Sequence, residues 1–195
     1  MNKTSHIWVD LDAYCVEAFD FEANYVFGRA EDGSYPNGVL RLPPDSETLA
    51  HMTTFVTSPN PTQPWRGARL HRLNKARVDR GETWGIEALP WGCSGPKALT
   101  YFLEATGEDK HALPNQTFYP LSPAQLGQLH DPRVPVSDIE RVGVYSVHIY
   151  GHQKRVIATR LGGVPLRGSY LDRLCQRHEI NPTEHPVKAV GWLAL

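Results

Sequence analysis

Apolar and polar positions define elements most sharply in the last third of the chain. Residues 142–150 hold Val142, Val144, Tyr145, Val147, Ile149 and Tyr150, a β-branched and aromatic run of strand length. After the turn-like Gly151, His152 and Gln153, residues 154–161 read as the second strand of a basic-tipped hairpin. Gly162, Gly163, Pro165 and Gly168 interrupt the pattern. Ser169, an N-cap with Asp172 three residues on, then opens a helix with Leu171, Leu174 and Cys175 on one face. That helix should stop near His178, because Asn181 followed by Pro182 cannot continue it. The apolar close at residues 187–195 suits a buried last strand.

Just upstream, Phe118 and Tyr119 end a short expected strand. Ser122 and Gln125 form a capping box with Pro123 at the first helical position, and Leu126 and Leu129 face inward from the helix it opens. From Thr117 onward the expected order is therefore strand, helix, strand, strand, helix, strand, the ferredoxin-like βαββαβ order. The fold class expected is α+β, with a ferredoxin-like C-terminal half at 111–195. A second, divergent ferredoxin-like N-terminal half spans 1–110 and carries an arginine-rich insertion at 61–82. In that half, strands are expected at 6–16, at 19–27 (Phe19, Phe21, Tyr25, Phe27), at 38–42 and at 83–89. Asp45 or Ser46 caps a helix burying Leu49, Met52 and Val56; residues 68–80 are helix-compatible after Gly67, and, because their basic residues form no single stripe, a mobile or partner-ordered segment fits them equally. Ser94, Gly95 and Pro96 open the most amphipathic helix, with Leu99, Phe102 and Leu103 inward and Gly107 at its end.

Length and charge narrow the classes. A chain of 195 residues, 41% hydrophobic, buries one good core or two small ones. No apolar run approaches the roughly 18 residues of a membrane span, and residues 1–6 lack the apolar region of a secretion signal, so the expectation is a cytoplasmic protein with no membrane partner. Cys15, Cys93 and Cys175 lie too far apart for a CxxC pair and read as reduced packing residues. Residues 1–60 hold nine acids against three bases, a balance of −6, so the formal net charge of −1 leaves +5 on residues 61–195. Such asymmetry permits an anion-binding face.

Arginine dominates lysine in the basic part, which favours bidentate phosphate contacts and stacking on bases. The candidate RNA-binding residues are Arg66, Arg69, Arg72, Lys75, Arg77 and Arg80 in the insertion and Lys154, Arg155, Arg160 and Arg167 in the last third. Tyr145, Tyr150 and Trp192 offer aromatic surfaces nearby in sequence, as single-stranded RNA recognition requires. The competing reading is a solvated face laced with ordinary surface ion pairs. Nine histidines include no HExxH spacing, so no metal centre and no cofactor are expected; His51 and His148 are the candidates for acid-base chemistry. Asp10 and Asp12 on the first expected strand suggest an alternative, a small-molecule or nucleotide-modifying enzyme built on that acidic strand.

The series Val156, Ile157, Ala158, Thr159, Arg160, Leu161, Gly162, Gly163, Val164, Pro165, Leu166, with the helix 170–174 and the close Lys188 to Leu195, resembles the closing unit of RAMP-superfamily CRISPR-associated proteins. The resemblance covers about forty residues. It implies two ferredoxin-like domains that bind the repeat-derived part of a guide RNA within a ribonucleoprotein complex, with RNA and other subunits of that complex as partners. The family's loop before the last strand is glycine-rich, whereas residues 179–186 contain no glycine and only Gly191 stands at the equivalent turn. A comparison with the family's processing enzymes implies a metal-independent endoribonuclease, in which a base deprotonates the 2′-hydroxyl and arginine stabilises the developing charge. His51 or His148 would be base or acid there, with Arg66, Arg69 or Arg155 as the electrostatic partner.

Overall fold

The structure is a computed structural model that describes residues 6–90 and 92–188. It is a mixed α+β protein with small antiparallel sheets. Along the chain run β1 (Trp8–Val9), β2 (Ala13–Cys15), β3 (Val26–Phe27), β4 (Val39–Arg41), α1 (Glu47–Thr57), α2 (Ala68–Asp79), α3 (Pro96–Thr106), α4 (Val136–Ile139), β5 (Ser146–His148), α5 (Gln153–Arg160) and α6 (Tyr170–Arg177), with one 3₁₀ segment between α2 and α3 and three between α3 and α4. No helix among the described residues is long and apolar enough to cross a membrane. Two compact units divide the chain: the first takes it up to Asp10 and again over Phe19–Asn115, the second takes Leu11–Ala18 and everything from Gln116.

In the first unit β4 is the middle strand, antiparallel to β1 (Trp8 opposite Leu40) and to β3 (Phe27 opposite Leu40). Phe27, Tyr35, Leu40, Leu42, Leu49, Leu99 and Leu103 form its core. α1 starts where expected: Ser46 is the N-cap, its Oγ accepting from Leu49 N–H at 3.0 Å. α3 also follows its pattern, opening on Pro96, burying Ala98, Leu99 and Leu103 and closing on left-handed Gly107.

The two elements are locked together by Glu108, which directly follows Gly107 and is only 9% exposed. Its carboxylate accepts from Ser46 Oγ (2.7 Å), from the N–H groups of Glu47 (3.0 Å) and Thr48 (3.2 Å), and from Tyr25 Oη (3.0 Å). Those N–H groups belong to the unsatisfied first turn of α1, where negative charge is favoured. Burial raises the carboxyl's pKa, but the hydrogen bonds from Ser46, Thr48 and Tyr25 outweigh it and leave the group below the usual range.

In the second unit β2 pairs antiparallel with β5, Tyr14 opposite Val147. Leu121, Leu126, Leu129, Ile139, Val147, Ile157, Tyr170 and Leu174 are among the residues of its core. The Ser122 capping box forms, with Ser122 N–H donating to Gln125 Oε1 at 3.0 Å, but the turn it opens, Leu126–His130, is 3₁₀. α6 begins on Ser169 and ends at His178, as the pattern required.

Five expectations are corrected. Residues 154–161 are not a strand: α5 occupies them, burying Gln153 and Ile157 four residues apart, a helical spacing. Thr159, which read as β-forming, is accommodated because its Oγ1 donates to Arg155 O at 2.8 Å. Residues 6–16 are not one strand but β1 and β2, separated by a turn and joined to different sheets. Of 19–27 only Val26–Phe27 is strand, and 83–89 holds a 3₁₀ turn at Ile86–Ala88 behind Gly85, whose φ of 47° a side chain rarely adopts. Phe118 and Tyr119 are buried core residues outside any strand. Most of the expected closing strand, with Gly191 and Trp192, lies outside the described residues.

Replacing Glu108 by Gln should destabilise the protein by about 2–3 kcal/mol near neutral pH, because the buried donors lose a charged acceptor. The folded pKa is depressed, so this contribution is present above the ordinary carboxyl range and is lost as pH falls through the folded value. Urea unfolding of both proteins at about pH 7 and about pH 3 should show the gap closing in acid.

Candidate nucleic-acid interface

α2 and its two flanks carry six of the ten basic residues singled out from the sequence, and the helix is barely embedded. Asn74 is its one buried residue among the described ones, while Leu73 and Val78 are exposed. On a helix of 3.6 residues per turn, Arg69 and Arg72 point within about 40° of the direction opposite Asn74. Gly67, the N-cap, supplies no side-chain bond, and the first turn holds no acid. The positive end of the helix therefore carries Arg69 and, just before the cap, Arg66, an arrangement that opposes the helix dipole.

The six basic residues of this segment divide into two groups. At the C-terminal end Lys75 pairs with Asp79 (3.3 Å), Arg77 Nε donates to Glu82 (2.8 Å) and Arg80 pairs with the same carboxylate (2.7 Å). The Arg77 guanidinium also lies over the Trp84 ring, 4.3 Å from its centroid. Hydrogen bonds first from Arg77 and then from Arg80 hold the Glu82 carboxyl below its usual range. Arg66, Arg69 and Arg72 have no ion-pair partner among the described residues. Arg69 and Arg72 are like charges three apart, with Leu73 and Ala76 where acids would support them.

The remaining expected RNA contacts belong to the second unit. Lys154 and Arg155 lie in the first turn of α5 and Arg160 in its last, all exposed and not on one stripe; Arg167 is exposed in the following loop. Tyr145, expected as an aromatic surface, is half-buried and hydrogen-bonded through its backbone to Thr117 and Val16.

The histidines chosen for catalysis fall in different units. His51, on α1, is exposed and stacks on Phe102 with ring centroids 5.5 Å apart. His148, on β5, is 8% exposed, walled by Tyr150 (4.2 Å) and Tyr119 (5.9 Å), with its Nε2 3.3 Å from Asp12 Oδ1. Tyr150 adopts φ 56°, strained for a non-glycine residue. Asp10 accepts from Trp8 Nε1 at 2.8 Å.

Two groupings escaped the sequence reading. In the second unit Glu140 accepts two hydrogen bonds from Arg177 (2.9 and 3.0 Å) and one from Tyr170 Oη (3.0 Å), and Arg177 also donates to Tyr14 Oη (3.0 Å). Burial, then the Glu140 charge, pushes the Tyr170 hydroxyl far up. In the first unit a cavity of about 450 Å³ is lined by Trp65, Tyr101, Thr100 and Lys97, among others. Neither carries a local motif, since their members are 30 to 163 residues apart in the network and come from three segments in the cavity. Comparison with known proteins adds no relative: no family model, curated protein or solved structure matches the chain.

Substituting Gln for Glu140 should cost about 1.5–3 kcal/mol, since Arg177 and Tyr170 lose a shared charged acceptor. A thermal melt should register this as a Tm lower by about 6–24 °C, at about 4–8 °C per kcal/mol for a unit of this size.

Proposed function

We propose that this protein binds nucleic acid through α2, with Arg66, Arg69 and Arg72 gripping the phosphate backbone. One observation carries the reading: three arginines have no ion-pair partner among the described residues, Arg69 and Arg72 on the outer side of a helix that buries only Asn74 and Arg66 just before its N-cap. A helix polar on nearly all sides gains little from its own packing, and like charges at its positive end cost it stability. A polyanion removes that cost and releases counterions as it binds. The Glu82 clamp favours this division of labour, because it neutralises Arg77 and Arg80 and leaves the N-terminal half of the helix to the ligand.

Within that class, RNA is the preferred polymer and a guide RNA held in a CRISPR ribonucleoprotein the finer form; both rest on the resemblance of the C-terminal residues, part of which lies outside the described ones. The ferredoxin-like order, read from the pattern of expected elements, draws no support from α5, which occupies the position of its second hairpin strand. Sequencing RNA that copurifies with the native protein tests the finer form, a discrete set sharing one repeated end being the expected outcome.

The general reading is tested by fluorescence anisotropy with labelled RNA across a salt series. Wild-type affinity should fall steeply with salt, and the combined Arg66→Ala, Arg69→Ala, Arg72→Ala variant should bind about 10- to 100-fold more weakly at low salt, with a log–log salt slope shallower by about 2. A wild-type protein that binds no nucleic acid even at low salt refutes it.

A further inference from the structure

We infer that the cavity beside the start of α2 receives a single unstacked nucleobase, one that bears an exocyclic amino group, from the strand gripped by the arginines. This deepens the preceding reading and rests on it. Chain continuity ties the two features: Trp65, which lines the cavity, directly precedes Arg66. The about 450 Å³ lies within the range of about 300–1,000 Å³ typical of small-ligand sites, ample for a base and part of its sugar.

The walls suit a flat ring. Trp65 and Tyr101 both line the cavity, with centroids 5.8 Å apart and planes inclined by 51°. Both are half-buried, and Trp65 is held by edge contact with Phe55 (5.4 Å) and Phe102 (6.3 Å), so the stacking surface is fixed before a ligand arrives. Base stacking on such side chains is the main sequence-tolerant term in binding single strands.

Charge decides which part of the nucleotide enters. Two carboxylates, Asp32 and Glu104, line the cavity against one ammonium, Lys97. That balance repels phosphate and leaves it to the arginines, while carboxylates accept from the amino group of cytosine, or of another amino-bearing base. Asp32 is held ionised: Ser34 Oγ (2.6 Å) and Ser34 N–H (3.0 Å) donate to its Oδ1 and keep the carboxyl below the usual range. Thr100 Oγ1 accepts from Tyr35 N–H at 2.9 Å, which holds its side chain in place in the cavity wall.

The test compares a labelled single-stranded RNA of about twelve nucleotides with the same strand in a duplex, and oligocytidine with oligouridine, by anisotropy. The wild type should prefer the single strand, and oligocytidine over oligouridine. Tyr101→Leu should weaken single-strand binding about tenfold and leave duplex binding unchanged. Glu104→Gln, at an exposed position that puts folding at little risk, should erase the preference for oligocytidine. Equal binding of oligocytidine and oligouridine by the wild type, or single-strand affinity untouched by Tyr101→Leu in a folded variant, overturns the base pocket while salt-dependent binding through the arginines survives. Loss of all RNA binding by the wild type overturns the arginine grip and, with it, this inference.

Discussion

The first unit is built around the carboxylate of Glu108. A free acid in a core costs several kcal/mol, yet here four donors converge on it, two of them N–H groups that α1 cannot satisfy itself. One side chain thereby ties the strand region at Tyr25, the start of α1 and the end of α3 together. A second bond, between Thr48 Oγ1 and Thr106 Oγ1 at 2.8 Å, repeats the connection a residue further along α1. With α3 fixed at that end, Leu99 and Leu103 turn into the core, and Thr100, Tyr101 and Glu104 are left to line the cavity. The anchor is structural, and it settles what the neighbouring face of α3 presents.

α2 obeys the opposite economy. It has no core face to speak of, and its footing is at its ends: the Trp65 aromatic cluster before it, and the stack of Arg77 on buried Trp84 after it, itself fixed by Trp84 Nε1 donating to Pro61 O at 3.1 Å. Between these footings the helix keeps charges that its own electrostatics disfavour. Stability has been given up where a ligand's charge would restore it, the usual place to look for function in a chain whose local preferences otherwise agree with its fold.

The second unit is held in a similar way by a charged centre at its edge. Glu140 gathers Arg177 and Tyr170 from α6, and Arg177 in turn reaches Tyr14 on β2, so helix, strand and the end of α4 meet at one carboxylate. His178, which stops α6, stands 2.9 Å from the same Tyr14 hydroxyl. Below this network the apolar side of α6, Leu171 and Leu174, closes over Leu129 and Ile139.

Much of this architecture was legible from local pattern. Ser46, Pro96, Gly107, Ser169 and the stop at His178 were all readable, because caps and breakers act within one turn of the chain. The basic charge of residues 66–80 was readable too, since charge needs no partner to be counted, but a helix and a partner-ordered segment fitted that stretch equally. The strands were legible only in part: β4 falls inside 38–42 and β5 inside 142–150, but the β-branched residues at 154–161 suited sheet and helix alike, and the choice went to the helix once Gln153 and Ile157 found a core to face. The sequence by itself determined the helix ends and the basic segment at 66–80. Only the tertiary structure decided which arginines are neutralised, which carboxylates are buried and which aromatics line a cavity, because these depend on partners distant in sequence, such as Tyr14 and Arg177, 163 residues apart, and no local rule reaches so far.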